Sequence, residues 1–329
     1  MTAWLEHPAC WRGADMARTP DRWLYRLGDA ELAELDAAIR TLKAGGKPLG
    51  DITAADFPLP VLGPALADWL ERLDRGPGFL LVRGFPVGRY SKDDAALAYW
   101  IIGRHLGEPV SQNTDGDLLG QVRDTGASPA DHDVRLYKTR AELSFHTDGA
   151  DIIGLMCLRA GKSGGVSRIC SSMAVYEAIA RRRPDLLARL EQPFHHHAHG
   201  QAGPGGPPTF RQPVVNLAGG LFRMFLLVWY IRNAAEDFPD LAGLGDDERA
   251  LLDLLETIPE EPGMALDMAF QPGDMQFLKN SVILHARTAY EDWDEPDQKR
   301  HLLRLWLTAR QFADGDESLR RGVRAPASP

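Results

Sequence analysis

The sequence contains little cysteine, with three residues in a chain of 329. Cys10, Cys157 and Cys170 are widely spaced, and no two of them form a CxxC pair. An odd number of isolated thiols argues against a disulfide framework and against a thiolate zinc site. We therefore expect reduced cysteines, mostly buried as small apolar side chains.

Basic residues and long apolar runs are also scarce. The chain has 37 Lys and Arg against 46 Asp and Glu, a formal net charge of −9. Proteins that bind nucleic-acid phosphates need clustered cations, so nucleic acid is not an expected partner. No stretch approaches the roughly 18 apolar residues of a membrane span, and the first residues do not resemble a secretory signal. A cytoplasmic location without a membrane partner is expected.

Helical periodicity is clearest in the first hundred residues. Apolar side chains at three- and four-residue intervals predict helices over 30–43, about 63–75 and about 91–106, with Ser91 as the N-cap of the third. Further helices are predicted over 173–190 and about 246–257. A Gly- and Pro-rich segment at 200–208 predicts a surface loop.

The remaining apolar segments are short and predict strands. They lie at 79–82, 151–161, 167–172, 213–217, 221–231, 264–270, 274–280, 282–288 and 301–310. Short strands with few helices among them indicate an antiparallel sandwich or barrel rather than alternating βα units. The fold class is therefore α+β or mainly β.

The sharpest local motif is FHTD, in which one residue separates His146 from Asp148. Residues two apart on an extended strand point to the same face, so this imidazole and carboxylate can converge on one ion. Alone, the motif is weak, because by chance it is usually a surface or structural pair. A third ligand is suggested by His285, which ends an apolar run after a Pro-Gly turn and the dipeptide NS. Two imidazoles and a carboxylate suit one face of an octahedral ferrous ion.

Two arginines follow His285 within the apolar run KRHLLRLWL. Arg300 and Arg304 are four residues apart in this predicted strand. A guanidinium in apolar surroundings needs an anionic partner, and its planar fork matches a carboxylate. Pairing with surface acids is the alternative for either arginine alone.

Together, FHTD, SGGVS, the QPGD…NSVILHAR block and R-x3-R resemble the taurine dioxygenase-like (TauD/TfdA) family of Fe(II)/2-oxoglutarate-dependent oxygenases. The segments GFLLVRGFP and LGEPVSQN extend the resemblance over about 60–310. It implies a double-stranded β-helix, a cupin-like jelly roll with flanking helices. We expect a single catalytic domain over 1–329, with a helical part to about 106, a jelly-roll core at about 107–312 and a frayed tail at 313–329.

The resemblance also implies roles for individual residues. His146, Asp148 and His285 would bind Fe(II), and Arg300 would hold the distal carboxylate of 2-oxoglutarate. Ser167 stands where the family's GGDT motif has threonine, and its hydroxyl would reach the same carboxylate. Arg304 would be a further cosubstrate-binding residue, with contact to an anionic substrate and a purely structural role as alternatives.

The implied reaction is hydroxylation of an unactivated C–H bond in a small or medium organic substrate, using O2 and releasing succinate and CO2. Asp148 argues against halogenation, because related halogenases lack this carboxylate. Desaturation, epoxidation or cyclisation by the same cofactors, and a non-catalytic metal-binding jelly-roll sensor, are the alternatives. A small molecule is the expected partner, and a homo-oligomer is left open.

Several other polar residues are ambiguous. The histidine run at 195–199 lacks carboxylates at paired spacing, so a loop or strand is a better reading than a metal tract. Gln112, Asn113, Tyr137 and Arg140 precede FHTD and either contact substrate or satisfy loop backbone groups. His301 follows Arg300 directly and should face away from the cosubstrate.

Overall fold

The computed structural model describes residues 4–113, 115–127, 136–199 and 206–312. The predicted frayed tail at 313–329 and most of the predicted loop at 200–208 lie outside the described residues. In the described ranges, no helix combines the length and apolar character that crossing a bilayer requires.

The helices fall into two groups along the chain. One group precedes residue 107, and the other lies between residues 172 and 257. Their bounds are α1 Gly13–Arg18, α2 Asp29–Gly45, α3 Gly63–Asp74, α4 Lys92–Leu106, α5 Ser172–Arg182, α6 Leu187–Leu190, α7 Val228–Asp237, α8 Pro239–Ala242 and α9 Asp246–Thr257.

The strands are short, and several have only two or three residues. They are β1 Leu24–Arg26, β2 Phe79–Arg83, β3 Glu108–Pro109, β4 Leu119–Val122, β5 Leu143–His146, β6 Ile152–Arg159, β7 Ser163–Gly164, β8 Ser167–Ser171, β9 Pro193–His197, β10 Thr209–Pro213, β11 Val215–Asn216, β12 Arg223–Met224, β13 Leu266–Met268, β14 Met275–Lys279, β15 Ile283–Arg287, β16 Tyr290–Glu291 and β17 His301–Thr308.

Two sheets form the centre of the molecule. The larger has the order β1-β2-β14-β6-β17-β3, with β4 also paired to β17, and the smaller has the order β13-β8-β15-β5. From β4 to β17 the chain passes repeatedly between these sheets, and the pairings along this path are antiparallel. This is the predicted double-stranded β-helix with flanking helices.

Strand β17 illustrates how the sequence separates the two faces of the larger sheet. Leu303, Leu305 and Leu307 belong to the apolar cluster that includes the buried faces of α2, α3 and α4. Trp306 belongs to the other large cluster, between the sheets. Because side chains alternate along a strand, Arg304 shares the inner face with Trp306. The apolar run therefore places a guanidinium inside the β-helix.

The N-terminal helices cover the outer face of the larger sheet. At Gly103 in α4, an added Cβ would lie 2.5 Å from Leu305 Cδ1, so glycine allows the close approach of α4 to β17. Ser91 caps α4 as predicted, since its Oγ accepts a hydrogen bond from Asp94 N at 3.1 Å. Strands β1 and β2 precede residue 107 but belong to the larger sheet. The division into a helical part to about 106 and a core at 107–312 stays a prediction.

Three predicted elements were wrong in extent or type. The helix expected over 173–190 is divided, because Pro184 begins a separate 3₁₀ turn between α5 and α6. The strand expected over 221–231 is limited to Arg223–Met224, and helix α7 begins at Val228. A short apolar run does not distinguish a buried strand from a buried helix, which explains the second error. The strand expected over 213–217 is limited to Val215–Asn216, after β10.

Buried histidines make the fold sensitive to acid. His196 in β9 is fully buried and stacks on Phe210. Burial lowers the pKa of His196 from 6.5 to about 4. Between these values the unfolded chain binds a proton that the folded chain does not. The free energy of unfolding should therefore decrease by up to about 1.4 kcal/mol per pH unit as the pH falls through this window.

We predict that His196→Phe, which retains an aromatic ring but not the titrating group, reduces this loss of stability between pH 7 and pH 4. Denaturant unfolding of wild type and variant across this range measures the effect. Parallel stability profiles for the two proteins would contradict the assignment.

Candidate metal centre and cosubstrate pocket

Three candidate metal ligands converge where β5 meets β15. His146 ends β5, Asp148 follows two residues later, and His285 lies directly opposite His146 in the antiparallel pairing. One ligand atom from each residue lies within 4.8 Å of the others. His285 Nε2 is 3.5 Å from Asp148 Oδ2, and His146 Nε2 is 4.0 Å from Asp148 Oδ1. In the described ranges, no other group of three such residues meets the same distance criterion.

Neighbouring residues favour the protonation states of His146 and Asp148 that can bind a cation. His146 Nδ1 lies 2.8 Å from the carbonyl oxygen of Ser144, so an Nδ1–H donor would leave the Nε2 lone pair available. Burial lowers the pKa of His146 to about 4, with a further contribution from His285. Burial acts to raise the pKa of Asp148, but Arg304 and His285 outweigh it and hold that pKa well below its usual range. Near neutral pH, His146 is therefore neutral and Asp148 is ionised.

Two side chains from other segments hold Asp148: Asn280, just after β14, and Trp306, in β17. The amide of Asn280 accepts a hydrogen bond from Asp148 N at 2.9 Å and donates one to the Asp148 carbonyl at 2.7 Å. Trp306 Nε1 donates to Asp148 Oδ2 at 3.1 Å. Asn280 follows β14 and lies five residues before His285. It therefore connects the segments that carry two of the candidate ligands.

The residue between His146 and Asp148 anchors a further segment. Thr147 N donates to the Leu226 carbonyl at 3.0 Å, and Leu226 N donates to Thr147 Oγ1 at 2.8 Å. Just beyond, Trp229 at the start of α7 packs edge-on against His146, with ring centroids 5.3 Å apart. Helix α7 thus contributes an aromatic wall beside the candidate metal centre.

At the predicted cosubstrate site, Arg300 contacts the turn that precedes Ser167. Arg300 is 4% exposed, and its Nη2 donates to the Gly165 carbonyl at 3.4 Å. Gly165 has φ +65°, and an added Cβ would lie 2.9 Å from Arg300 Nε, so this corner requires glycine. Ser167, two residues further on, has its Oγ 3.1 Å from Gln276 Oε1.

Arg304 lies beside the candidate metal ligands. Its Nη1 is 3.7 Å from Asp148 Oδ2, and its Nε donates to Gln112 Oε1 at 2.7 Å. Gln112 Nε2 in turn donates to the Arg304 carbonyl at 2.8 Å. The guanidinium lies 4.6 Å from the Tyr137 ring centroid and 4.8 Å from that of Trp306. These contacts place Arg304 at the site and give Gln112 a positioning role that its sequence context left open.

The other residues considered from sequence lie in different contacts. The histidine run is strand β9 as far as His197, whose Nε2 is 3.3 Å from Asp237 Oδ2. Asn113 Nδ2 donates to Asp117 within its own loop, and Arg140 pairs with Asp124. These interactions fit the structural alternative for both loop residues.

Asn280, Trp306 and Trp229 were not selected from the sequence. Asn280 stands in the motif block before His285, which was the one available signal for it. The contact of Trp229 depends on α7, a segment predicted as strand. The hydrogen bond from Trp306 to Asp148 depends on the pairing of β17 with β6, and the spacing of residues in the sequence does not predict this pairing.

Sequence comparison adds an independent observation. Residues 45–306 match the taurine catabolism dioxygenase TauD, TfdA family. The chain belongs to this family. It is accordingly a non-haem Fe(II)- and 2-oxoglutarate-dependent dioxygenase, an oxidoreductase, as the motifs predict.

Individual relatives cover most of this chain. It is 30% identical over 316 residues to FR-33289 synthase of Streptomyces rubellomurinus (strain ATCC 31215), covering 94% of this chain and 92% of that protein. It is 29% identical over 314 residues to taurine hydroxylase-like protein SAT17 of Stachybotrys chartarum (strain CBS 109288 / IBT 7711), covering 92% and 79%. An asparagine oxygenase solved with Fe(II), 2S,3S-3-hydroxyasparagine and succinate has the same fold, with a TM-score of 0.68, 15% identity, and coverage of 92% of this chain and 100% of that chain.

We predict that Asn280→Ala weakens Fe(II) binding by about 10- to 100-fold, because Asp148 loses both hydrogen bonds that fix its backbone. Anaerobic Fe(II) titration measures the affinity. Glu34→Ala is a matched control, since Glu34 likewise makes two hydrogen bonds to backbone groups, accepting from Val61 N and Leu62 N. Equal affinities for wild type and Asn280→Ala, or equal losses in both variants, would contradict a specific role for Asn280.

Proposed function

We propose that His146, Asp148 and His285 bind Fe(II), that Arg300 holds the distal carboxylate of 2-oxoglutarate, and that the enzyme hydroxylates a C–H bond of a small or medium organic substrate. The observation that carries the proposal is the convergence of two imidazoles and an ionised carboxylate across one pair of strands. Arg300, which is buried and immediately precedes β17, supplies a separate anion-binding group.

The donor set fits ferrous iron. Two histidine nitrogens and one carboxylate oxygen occupy three positions of an octahedral ion and leave positions for a chelating cosubstrate and dioxygen. No cysteine belongs to the group, which disfavours a structural zinc site. Arg300 Nη1 is buried near Tyr290 and has no carbonyl or carboxylate acceptor among the described residues. An incoming carboxylate would satisfy this donor.

The residues around the triad orient and protect the reacting groups. When bound, Fe(II) and 2-oxoglutarate supply the oxidising chemistry, in which dioxygen is consumed, 2-oxoglutarate leaves as succinate and CO2, and one oxygen atom enters the substrate. Trp306 and Asn280 fix the Asp148 carboxylate, while Arg304 keeps it ionised. Trp229 and the Tyr137–Arg304 stack would exclude water from one side of the site.

Arg304 and Ser167 have secondary roles in this proposal. Arg304 places a fixed cation next to Asp148, where it can attract the metal-chelating end of the cosubstrate or an anionic substrate group. Ser167 lies two residues after Gly165, whose carbonyl Arg300 contacts, and its hydroxyl would assist at the distal carboxylate by exchanging its hydrogen bond to Gln276 for one to the ligand. Asp148 occupies the position that a halide would need, which favours hydroxylation over halogenation.

Other outcomes of the same chemistry remain alternatives. Desaturation, epoxidation or cyclisation depends on where the substrate C–H bond lies, and a non-catalytic sensor would not need the Arg300 clamp. The named relatives and the asparagine oxygenase support a small-molecule substrate. A cytoplasmic location, a lack of nucleic-acid and membrane partners, and the oligomeric state stay predictions from the sequence.

We predict that anaerobic addition of Fe(II) and 2-oxoglutarate produces a metal-to-ligand charge-transfer band, followed by succinate release when oxygen and a substrate are supplied. His146→Ala should abolish the band because it removes one of three ligands. An unchanged band in this variant would refute the metal-site assignment.

Arg300→Ala should raise the 2-oxoglutarate concentration needed for half of the band by roughly 10- to 100-fold, because a charged hydrogen-bond partner is lost. High 2-oxoglutarate should restore the band. Arg75→Ala, at a side chain that is 76% exposed, is the control. Unchanged 2-oxoglutarate dependence in Arg300→Ala would exclude the proposed clamp.

A further inference from the structure

A second buried arginine lies on the same strand as His285. Arg287 is two residues further along β15, so its side chain shares the inner face with His285. It is 5% exposed, and in the antiparallel pairing of β15 with β8 it lies directly opposite Ser167. The backbone thus places Arg287 next to the predicted cosubstrate pocket.

The guanidinium of Arg287 is only partly satisfied. Its Nη2 donates to the carbonyl oxygens of Thr139, at 3.0 Å, and Ala141. Its Nε and Nη1 are buried, and neither has a hydrogen-bond partner among the described residues. Arg287 therefore supports the loop before β5 with Nη2 alone, and its Nε and Nη1 remain available as donors.

The unsatisfied donors belong to a cluster rather than to one side chain. Arg300 Nη1 and the Tyr290 hydroxyl are also buried, and in the described part of the chain neither has a partner other than the interaction between these two side chains. The guanidinium carbon of Arg287 lies 4.9 Å from the Tyr290 ring centroid, and that of Arg300 lies 5.0 Å from it. Two buried cations thus approach the same ring.

No guanidinium in this cluster forms a close ion pair. Among the described residues, neither Arg287 nor Arg300 has a carboxylate oxygen within 4 Å of its guanidinium. The nearest acids act from farther away: Asp292 accepts a hydrogen bond from the backbone N of Arg300 at 2.6 Å, and Asp124 pairs with Arg140. Burial and the nearby Arg300 lower the pKa of Arg287 to about 10, so Arg287 remains charged near neutral pH. Buried charges are ordinarily paired, because an unpaired one has lost its hydration without compensation. The arrangement fits a pocket whose counterion is a ligand.

We propose that Arg287 is a second anion-binding residue of the cosubstrate pocket and that the distal carboxylate of 2-oxoglutarate lies between Arg287 and Arg300, within reach of the Tyr290 hydroxyl. The inference rests on the proposed function, which already gives Arg300 this ligand. A carboxylate has two oxygens and about four acceptor positions, enough for both guanidinium groups.

The test compares two chelating keto acids in the anaerobic Fe(II) enzyme, with binding read from the charge-transfer band. 2-Oxoglutarate has a distal carboxylate, whereas 2-oxobutyrate has the same chelating end without one. We expect Arg287→Gln, which can still donate to the loop carbonyls, to raise the Kd for 2-oxoglutarate by about 10- to 100-fold. The Kd for 2-oxobutyrate should stay within about twofold.

Arg168→Gln is the matched control. Arg168 follows Ser167 on β8, but its guanidinium pairs with Asp267 at 2.9 Å and with Glu260. Arg168→Gln should leave the affinities for 2-oxoglutarate and 2-oxobutyrate unchanged. Equal weakening of both keto acids by Arg287→Gln, or no weakening of either, would overturn the proposal and leave Arg287 a structural residue.

Two further variants separate the possible failures. Arg287→Lys retains the charge and one nitrogen, so it should weaken 2-oxoglutarate less than Arg287→Gln and serves if that variant does not fold. Equal weakening of both keto acids by Arg287→Lys would also overturn the proposal. Arg300→Ala, tested with both acids, probes the proposed function alone. If Arg300→Ala selectively weakens 2-oxoglutarate binding and Arg287→Gln does not, Arg287 is refuted as an anion-binding residue and Arg300 is retained.

Discussion

The antiparallel pairing of β15 with β5 is the constraint on which the site depends. It places His285 directly opposite His146, and Asp148 follows two residues beyond β5. A one-residue slip in this register would direct His285 to the other face of the sheet. Asn280 and Thr147 reinforce the register from outside the pair, since one binds the backbone of Asp148 and the other binds that of Leu226.

Around this pairing the β-helix interior divides by polarity. The apolar part contains residues such as Ile153 and Ile169, whereas the candidate metal centre and the proposed cosubstrate pocket contain charged side chains. The charged groups are Asp148, Arg304, Arg287 and Arg300. Asp148 and Arg304 lie 3.7 Å apart and compensate each other. Among the described residues, Arg287 and Arg300 have no carboxylate at a comparable distance, because Asp124 and Asp292 act on them only from beyond ion-pair range. Binding of an anionic ligand therefore accounts for them better than stability does.

Much of this arrangement could be predicted from sequence, and the remainder has identifiable causes. His146 and Asp148 have a spacing that a strand converts into a shared direction, and the block ending in His285 resembles a known family. Helix α7 was missed because its apolar start reads equally as strand. The hydrogen bonds of Asn280 to Asp148 join residues 132 positions apart, so no local pattern contains them. Arg287 was passed over because only its unsatisfied buried donors, visible in three dimensions, distinguish it.

The most direct test of the central claim is a crystal structure of the protein grown anaerobically with Fe(II) and 2-oxoglutarate, with anomalous data collected at the iron edge. The account predicts one strong anomalous peak bound by His146, Asp148 and His285, and 2-oxoglutarate density that extends from it to Arg300. A peak at another set of residues, such as the histidine run of β9, or cosubstrate density that does not approach Arg300, would contradict it.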